Sequence, residues 1–229
     1  MSNKTPEKRW EDVINGANEI TELIGDDVVF IDGVAVYFHA SAMETLAQLV
    51  DVSHEGDFMV SQSAFSDIRD CYEATQNKRL GKHEISLHGE AFDVYVERNN
   101  GLIIPYEDVK ERSVKVDTLY LAALEHLLPL KLRAAVDRAG SNKGEKDNKD
   151  ICGICVLINK KADFDFAECA KYIDRDGFDH LAMVAKGAAP MLLARKNAYL
   201  AKPIRASVSE VVEKLEVELG YGKQRSPKP

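Results

Sequence analysis

Apolar residues recur at three- and four-residue spacing from Trp10 through Val13, Ile14, Ala17, Ile20, Leu23 and Ile24, which predicts an amphipathic helix over 7–24 that ends at Gly25. The short run VVFI (28–31), closed by Asp32-Gly33, predicts a buried strand stopped by a tight turn. A helix is predicted over 34–50, a second strand from Glu55 through Val60, and another helix over 62–75. HEISLHG and EAFDVYVE alternate with period two, so residues 83–97 predict a hairpin turning at His88-Gly89. SVKV (113–116) predicts a further strand, and Asp117-Thr118 an N-cap for a helix over 119–128. Beyond it the pattern predicts helices over 129–139, 147–159, 164–172, 176–187, 190–199 and 207–219. The segment GSNKGEKDNK (140–149) reads as a polar loop and GYGKQRSPKP (220–229) as a frayed tail. The fold class is therefore mixed α/β (α+β): a sheet flanked by helices in front and a helical bundle behind. The domain assignment is 1–117, 118–220 and a tail over 221–229.

Charge divides the chain in the same sense. Residues 1–130 hold 11 Lys+Arg against 24 Asp+Glu, a net of −13, and residues 131–229 hold 19 against 14, a net of +5. With 45% hydrophobic residues in 229, the chain can bury a core and does not have the composition of a disordered one. No apolar run approaches the roughly 18 residues of a membrane-spanning helix, and MSNKTPEKRW is not a signal peptide. A cytoplasmic protein with no membrane partner is the expectation.

Candidate chemistry concentrates on two strands. Glu55 and Asp57 are two apart, so both carboxylates lie on one face of their strand. On the later strand Phe92, Val94 and Val96 point to the core, which turns Asp93 outward with Tyr95 and Glu97. Carboxylates on adjacent strands make a hard oxygen site suited to Mg²⁺ (or Mn²⁺), which takes one or two protein carboxylates plus substrate phosphates. In the back half, Lys131 and Arg138 stand seven apart on one predicted helix and project from one face, with Lys146, Asp147 and Asp150 opening the next.

The order of these pieces (strand, Gly turn, helix, acid-x-acid on a strand, single Asp on a later strand) resembles the nucleotidyltransferase superfamily related to DNA polymerase beta. The turn is Asp32-Gly33, the pair Glu55-Gly56-Asp57 and the third acid Asp93. Asp32 stands where that family usually has the first glycine, and Glu55 where it has an Asp. HLLPLKLRAAVDRAGSNKGEKDNKDI (126–151) resembles the Lys…Asp-Arg…Lys-Asp-x-x-Asp segment of the AbiEii-like branch, known from toxins of toxin–antitoxin and phage-defence systems.

The resemblance implies transfer of a nucleoside monophosphate from a nucleoside triphosphate to an acceptor hydroxyl, on RNA such as tRNA or on protein, and a possible cognate antitoxin. It gives Glu55, Asp57 and Asp93 to the metal, with Asp93 also able to take the acceptor's proton. Gly33 falls to the phosphate approach, while Lys131, Arg138 and Lys146 fall to phosphate neutralisation. Asp147 and Asp150 orient these cations or the acceptor. It also implies a cleft between the front strands and helices 129–139 and 147–159. The alternative is a catalytically degenerate nucleotide-binding or partner-binding module of the same fold, to which Asp32 and Glu55 lend support. Cys152-Gly-Ile-Cys155 has the spacing of half a zinc or redox site, but its apolar setting favours core packing. Lys186, Arg195, Lys196, Lys202 and Arg205 give a run of five positive and no negative residues over 186–205, able to steer a polyanion.

Overall fold

The protein, here a computed structural model, is described for residues 4–41, 43–98 and 100–221. Thr5 caps the first helix, α1 (Pro6–Ile24), by accepting from the Lys8 amide, and Pro6 opens it where no amide is needed. Then come β1 (Val28–Ile31), α2 (Asp32–Ser41), α3 (Glu44–Ala47), β2 (Glu55–Val60), α4 (Gln62–Cys71), β3 (Thr75–Asn77), β4 (Lys82–Leu87), β5 (Glu90–Val96), α5 (Tyr106–Glu111), β6 (Val114–Val116) and β7 (Leu119–Leu121). The remaining elements are α6 (Leu124–Asp137), α7 (Asn142–Ile158), α8 (Phe166–Ala170), α9 (Arg175–Lys186), α10 (Ala189–Leu193) and α11 (Ala198–Glu218). The chain forms two compact units, residues 1–130 and residues from Lys131 on. The class is mixed α/β, with the sheet in the first unit and, among the described residues, only helices in the second.

The seven strands form one mixed sheet in the order β3-β4-β5-β2-β1-β7-β6. β1 runs antiparallel to β2 and parallel to β7, and β2 runs parallel to β5. Phe30, Phe58 and Phe92 line up across β1, β2 and β5 with ring centroids 5.6 and 6.3 Å apart, all fully buried. Burying rings of this size stabilises the unit by roughly 2–3 kcal/mol each. α1 closes over this side of the sheet: a β-carbon on Gly16 would stand 2.7 Å from the tip of the Phe92 ring. A glycine inside a helix costs about 1 kcal/mol against alanine, which the close approach offsets.

Several boundaries differ from the sequence pattern, each for a physical reason. The helix predicted over 34–50 is two helices, α2 and α3, and that over 62–75 stops at Cys71, after which Thr75–Asn77 pair with β4. Asp117-Thr118 is not a helix cap but the two-residue turn of the β6–β7 hairpin, with Asp117 at φ 53°. The same short side chain serves both uses, because Asp tolerates the left-handed region. Of the helix predicted over 119–128, residues 119–121 are strand β7, which pairs with β1 and β6. The rest joins the helix predicted over 129–139 as α6, which starts at Leu124 and continues through Pro129. Burial of Leu127, Leu128, Leu130 and Leu132 outweighs the roughly 3 kcal/mol that an interior proline costs.

Residues 140–149 are not a loop. Ser141 caps α7 by accepting from the Gly144 amide, and the helix starts at Asn142. The pattern starts this helix at 147, five residues late, because its first turn is made of polar and glycine residues that a cap, not a buried face, holds in place. The helix predicted over 190–199 is the short α10, and that over 207–219 starts earlier, as α11 at Ala198. Most of the predicted tail, 222–229, lies outside the described residues. No helix among the described residues is long and apolar enough to cross a membrane.

Candidate functional site

In the first unit, the candidate site lies on the sheet face opposite the Phe92 ring. β5 alternates: Glu90, Phe92, Val94 and Val96 are buried, while Asp93 and Tyr95 are half-buried. β2 carries exposed Glu55 and half-buried Asp57 on either side of buried Gly56. Asp57 pairs in register with Asp93 across the parallel β2–β5 ladder, and Gly56 with Phe92. Neighbouring strands lie about 4.8 Å apart, so Glu55, Asp57 and Asp93 share one face at adjacent positions.

Two residues that the sequence pattern left out join them. β4 runs antiparallel to β5, and Glu84 is the register partner of Asp93. Lys82, two residues earlier on the same face, donates a hydrogen bond from Nζ to Asp93 Oδ2 and lies 3.5 Å from Glu84 Oε1. The predicted strand began at His83, one residue too late to include Lys82. The period-two rule, extended by that residue, finds both.

The electrostatics follow from this crowding. Burial pushes the Asp93 carboxyl above the usual carboxylate range; Lys82 opposes the shift, and the charges of Glu55 and Glu84 add to it. Burial works against the Lys82 ammonium, but its hydrogen bond to Asp93 and the charges of Asp93, Glu84 and Asp57 outweigh that and hold it above its ordinary value. One ammonium thus partly neutralises a face bearing four carboxylates. Hard oxygen donors in this arrangement could hold a divalent cation.

The turn after β1 departs from a simple glycine turn. Gly33 is buried on α2, but the left-handed residue is Asp32, at φ 54°. The conformation the turn requires therefore falls on the residue before the glycine.

In the second unit, Lys131 is 2% exposed, and its ammonium meets Asp150 Oδ2 at 2.7 Å and Asp147 Oδ1 at 3.3 Å. Arg138 joins Asp147 from the other side, at 3.0 Å from Nε and 3.2 Å from Nη2. Asp147 and Asp150 stand one turn apart on α7, so both face α6. Lys131 and Arg138 each meet a carboxylate of α7, and burying charge is tolerable only in such a paired arrangement. The structure thus brings together Lys131, Arg138, Asp147 and Asp150. Lys146, half-exposed on α7, enters none of these ion pairs.

Cys152 and Cys155 lie inside α7 and are fully buried. Burial pushes the Cys152 thiol up to about 12 and that of Cys155 well above its ordinary value. Metal binding and redox exchange both need the thiolate, which this environment disfavours.

No family model matches the chain, and no curated protein matches it. Several solved structures are similar to it. One is an antigenic nucleotidyltransferase-like protein from Paracoccidioides brasiliensis, at 12% identity and a TM-score of 0.48, covering 83% of this chain and 96% of that one. Another is JHP933 from Helicobacter pylori, at 11% identity and a TM-score of 0.48, covering 95% and 94%. The third is a putative nucleotidyltransferase from H. pylori, at 11% identity and a TM-score of 0.45, covering the whole of both chains.

Proposed function

We propose that the protein is a Mg²⁺- or Mn²⁺-dependent nucleotidyltransferase of the AbiEii-like kind, moving a nucleoside monophosphate from a nucleoside triphosphate to an acceptor hydroxyl. The observation that carries this reading is the pairing of Asp57 with Asp93 across β2 and β5, with Glu55 on the same face. Glu55, Asp57 and Asp93 would hold the cation, and the donor set fits a hard divalent ion. The ion supplies charge neutralisation to the reacting phosphates.

The chain's own groups do the rest. Asp93 accepts the proton of the acceptor hydroxyl, whose oxygen bonds to the α-phosphorus. The bond from that phosphorus to the bridging oxygen breaks, and pyrophosphate leaves with the electron pair. Lys82 keeps Asp93 oriented by its hydrogen bond. The resemblance in the sequence gives Lys131, Arg138 and Lys146 the neutralisation of the triphosphate, and Asp147 and Asp150 hold Lys131 and Arg138 in place. The acceptor is RNA such as tRNA, or protein, and a cognate antitoxin would restrain the activity.

The test is incubation with each radiolabelled nucleoside triphosphate, Mg²⁺ and bulk tRNA or total protein, with Asp57→Ala as control. Transfer of label with release of pyrophosphate, lost in the variant, is the expected result. Divalent-dependent triphosphate binding without transfer to any acceptor would instead support a second reading, a nucleotide-binding module of the same fold. The ammonium of Lys82 already seated on Asp93 favours that second reading.

A further inference from the structure

The ion pairs of the second unit leave one stretch of charge uncompensated. Arg205 is used structurally: its guanidinium donates to Ala185 O at 2.5 Å and Gly187 O at 2.8 Å, tying the end of α9 to the second turn of α11. Lys186, Arg195, Lys196 and Lys202 are exposed and make no ion pair among the described residues. They therefore form a positive surface on a chain whose net charge is −8.

Two further features mark this surface as more than a solvated helix face. Tyr199, in the first turn of α11, is 91% exposed, although a tyrosine ring gains by burial. The turn before it holds Arg195 and Lys196 at φ 50° and 65°, two consecutive non-glycine residues in the left-handed region. That turn is not loose. The Arg195 amide donates to Leu192 O at 3.0 Å, that of Lys196 to Met191 O at 2.8 Å and that of Asn197 to Ala194 O at 2.9 Å. Glycine would relieve the strain at either position, so basic side chains stand where the backbone disfavours them. Tyr199 and Lys202 share one face of α11 at three-residue spacing. The positive end of a 21-residue helix adds to the potential there.

We propose that the end of α9, the α10–α11 turn and the first turns of α11, through Lys186, Arg195, Lys196, Tyr199 and Lys202, bind a single-stranded nucleic acid. Unpaired cations meet its phosphates, and Tyr199 offers a face on which an unstacked base can lie; a duplex keeps its bases stacked and cannot use that face. The binding stands independently of nucleotidyl transfer and is measured without triphosphate or divalent cation.

Fluorescence anisotropy with a labelled oligouridylate of about 12 nucleotides tests it. Tyr199→Ala should weaken binding about tenfold and Tyr199→Phe should restore it. The Lys196→Ala/Lys202→Ala double variant should flatten the slope of log affinity against log salt by about 1.4, at about 0.7 per lost phosphate contact on a single strand. Arg195→Gly should weaken binding while leaving the melting temperature equal or higher, which separates a binding role from a structural one. Wild-type affinity in Tyr199→Ala, or a duplex bound as tightly as the single strand, would overturn the proposal. Binding to anionic phospholipid vesicles with none to the oligonucleotide would overturn it in favour of a membrane surface.

Discussion

The Phe92 ring occupies the space where a β-carbon on Gly56 would stand, 2.3 Å from Cδ1 and Cε1. Gly16 presses on the far end of the same ring, so it cannot slide away. Gly56→Ala should therefore destabilise the first unit by about 1–3 kcal/mol, the usual cost of overpacking a filled core. Because Gly56 sits between Glu55 and Asp57, the variant should also move both carboxylates. Urea unfolding measures the first effect and divalent-ion titration the second; unchanged stability would show that Phe92 has another place to go.

Asp93→Asn should leave the protein as stable as, or more stable than, the parent at pH 7 with a chelator present. A carboxyl held above its unfolded value contributes stability only in acid, and that contribution is lost as pH rises through the folded value. At neutral pH the ionised form therefore carries a cost that asparagine lacks, while its side-chain oxygen still accepts from Lys82. The advantage should shrink toward pH 4. Melting curves at both pH values check this, and a lower melting temperature for the variant at pH 7 would contradict it.

Lys131→Met should cost the second unit about 3–5 kcal/mol, because Asp147 and Asp150 remain buried without the ammonium that meets them both. Adding Asp150→Asn should recover part of the loss, since the two positions are in direct contact at 2.7 Å. Denaturant titration of the two single variants and the double variant measures the coupling. Strict additivity would mean that the ion pair contributes nothing.

Asp32→Gly and Asp32→Ala both remove the carboxylate, so their difference isolates the backbone. At φ 54° alanine should be less stable than glycine by about 1 kcal/mol, the reverse of their order inside an ordinary helix. Equal midpoints in urea would show that the left-handed conformation is not held in the variants.

The strands that carry the candidate site were legible because each has one buried and one polar face. EAFDVYVE announces Asp93, and the turn at His88-Gly89, with φ 53° and 80°, is the mirror-image type a two-residue hairpin favours. What was illegible is polar chemistry turned inward. The pattern places Asp147 and Asp150 at a helix start, and only the resemblance ties them to Lys131 and Arg138, because those partners lie 9 to 19 positions away. Pairing across such distances has no period along the chain. Lys82 was lost by one residue at a strand end, where patterns are least sharp.

Both edges of the sheet are three-residue strands, β3 at one side and β6 at the other. β3 is polar throughout, and β6 centres on Lys115, whose ammonium lies 5.2 Å from the ring centroid of Tyr120. So short a run of open amides, with a charge in the middle of one of them, gives another chain almost nothing to add a strand to. The longer, more apolar ribbons β1, β2 and β5 are walled in on both sides. Resistance to edge-to-edge aggregation is thus built into the strand order, and concentrated solutions should stay clear for as long as the two short strands remain in place.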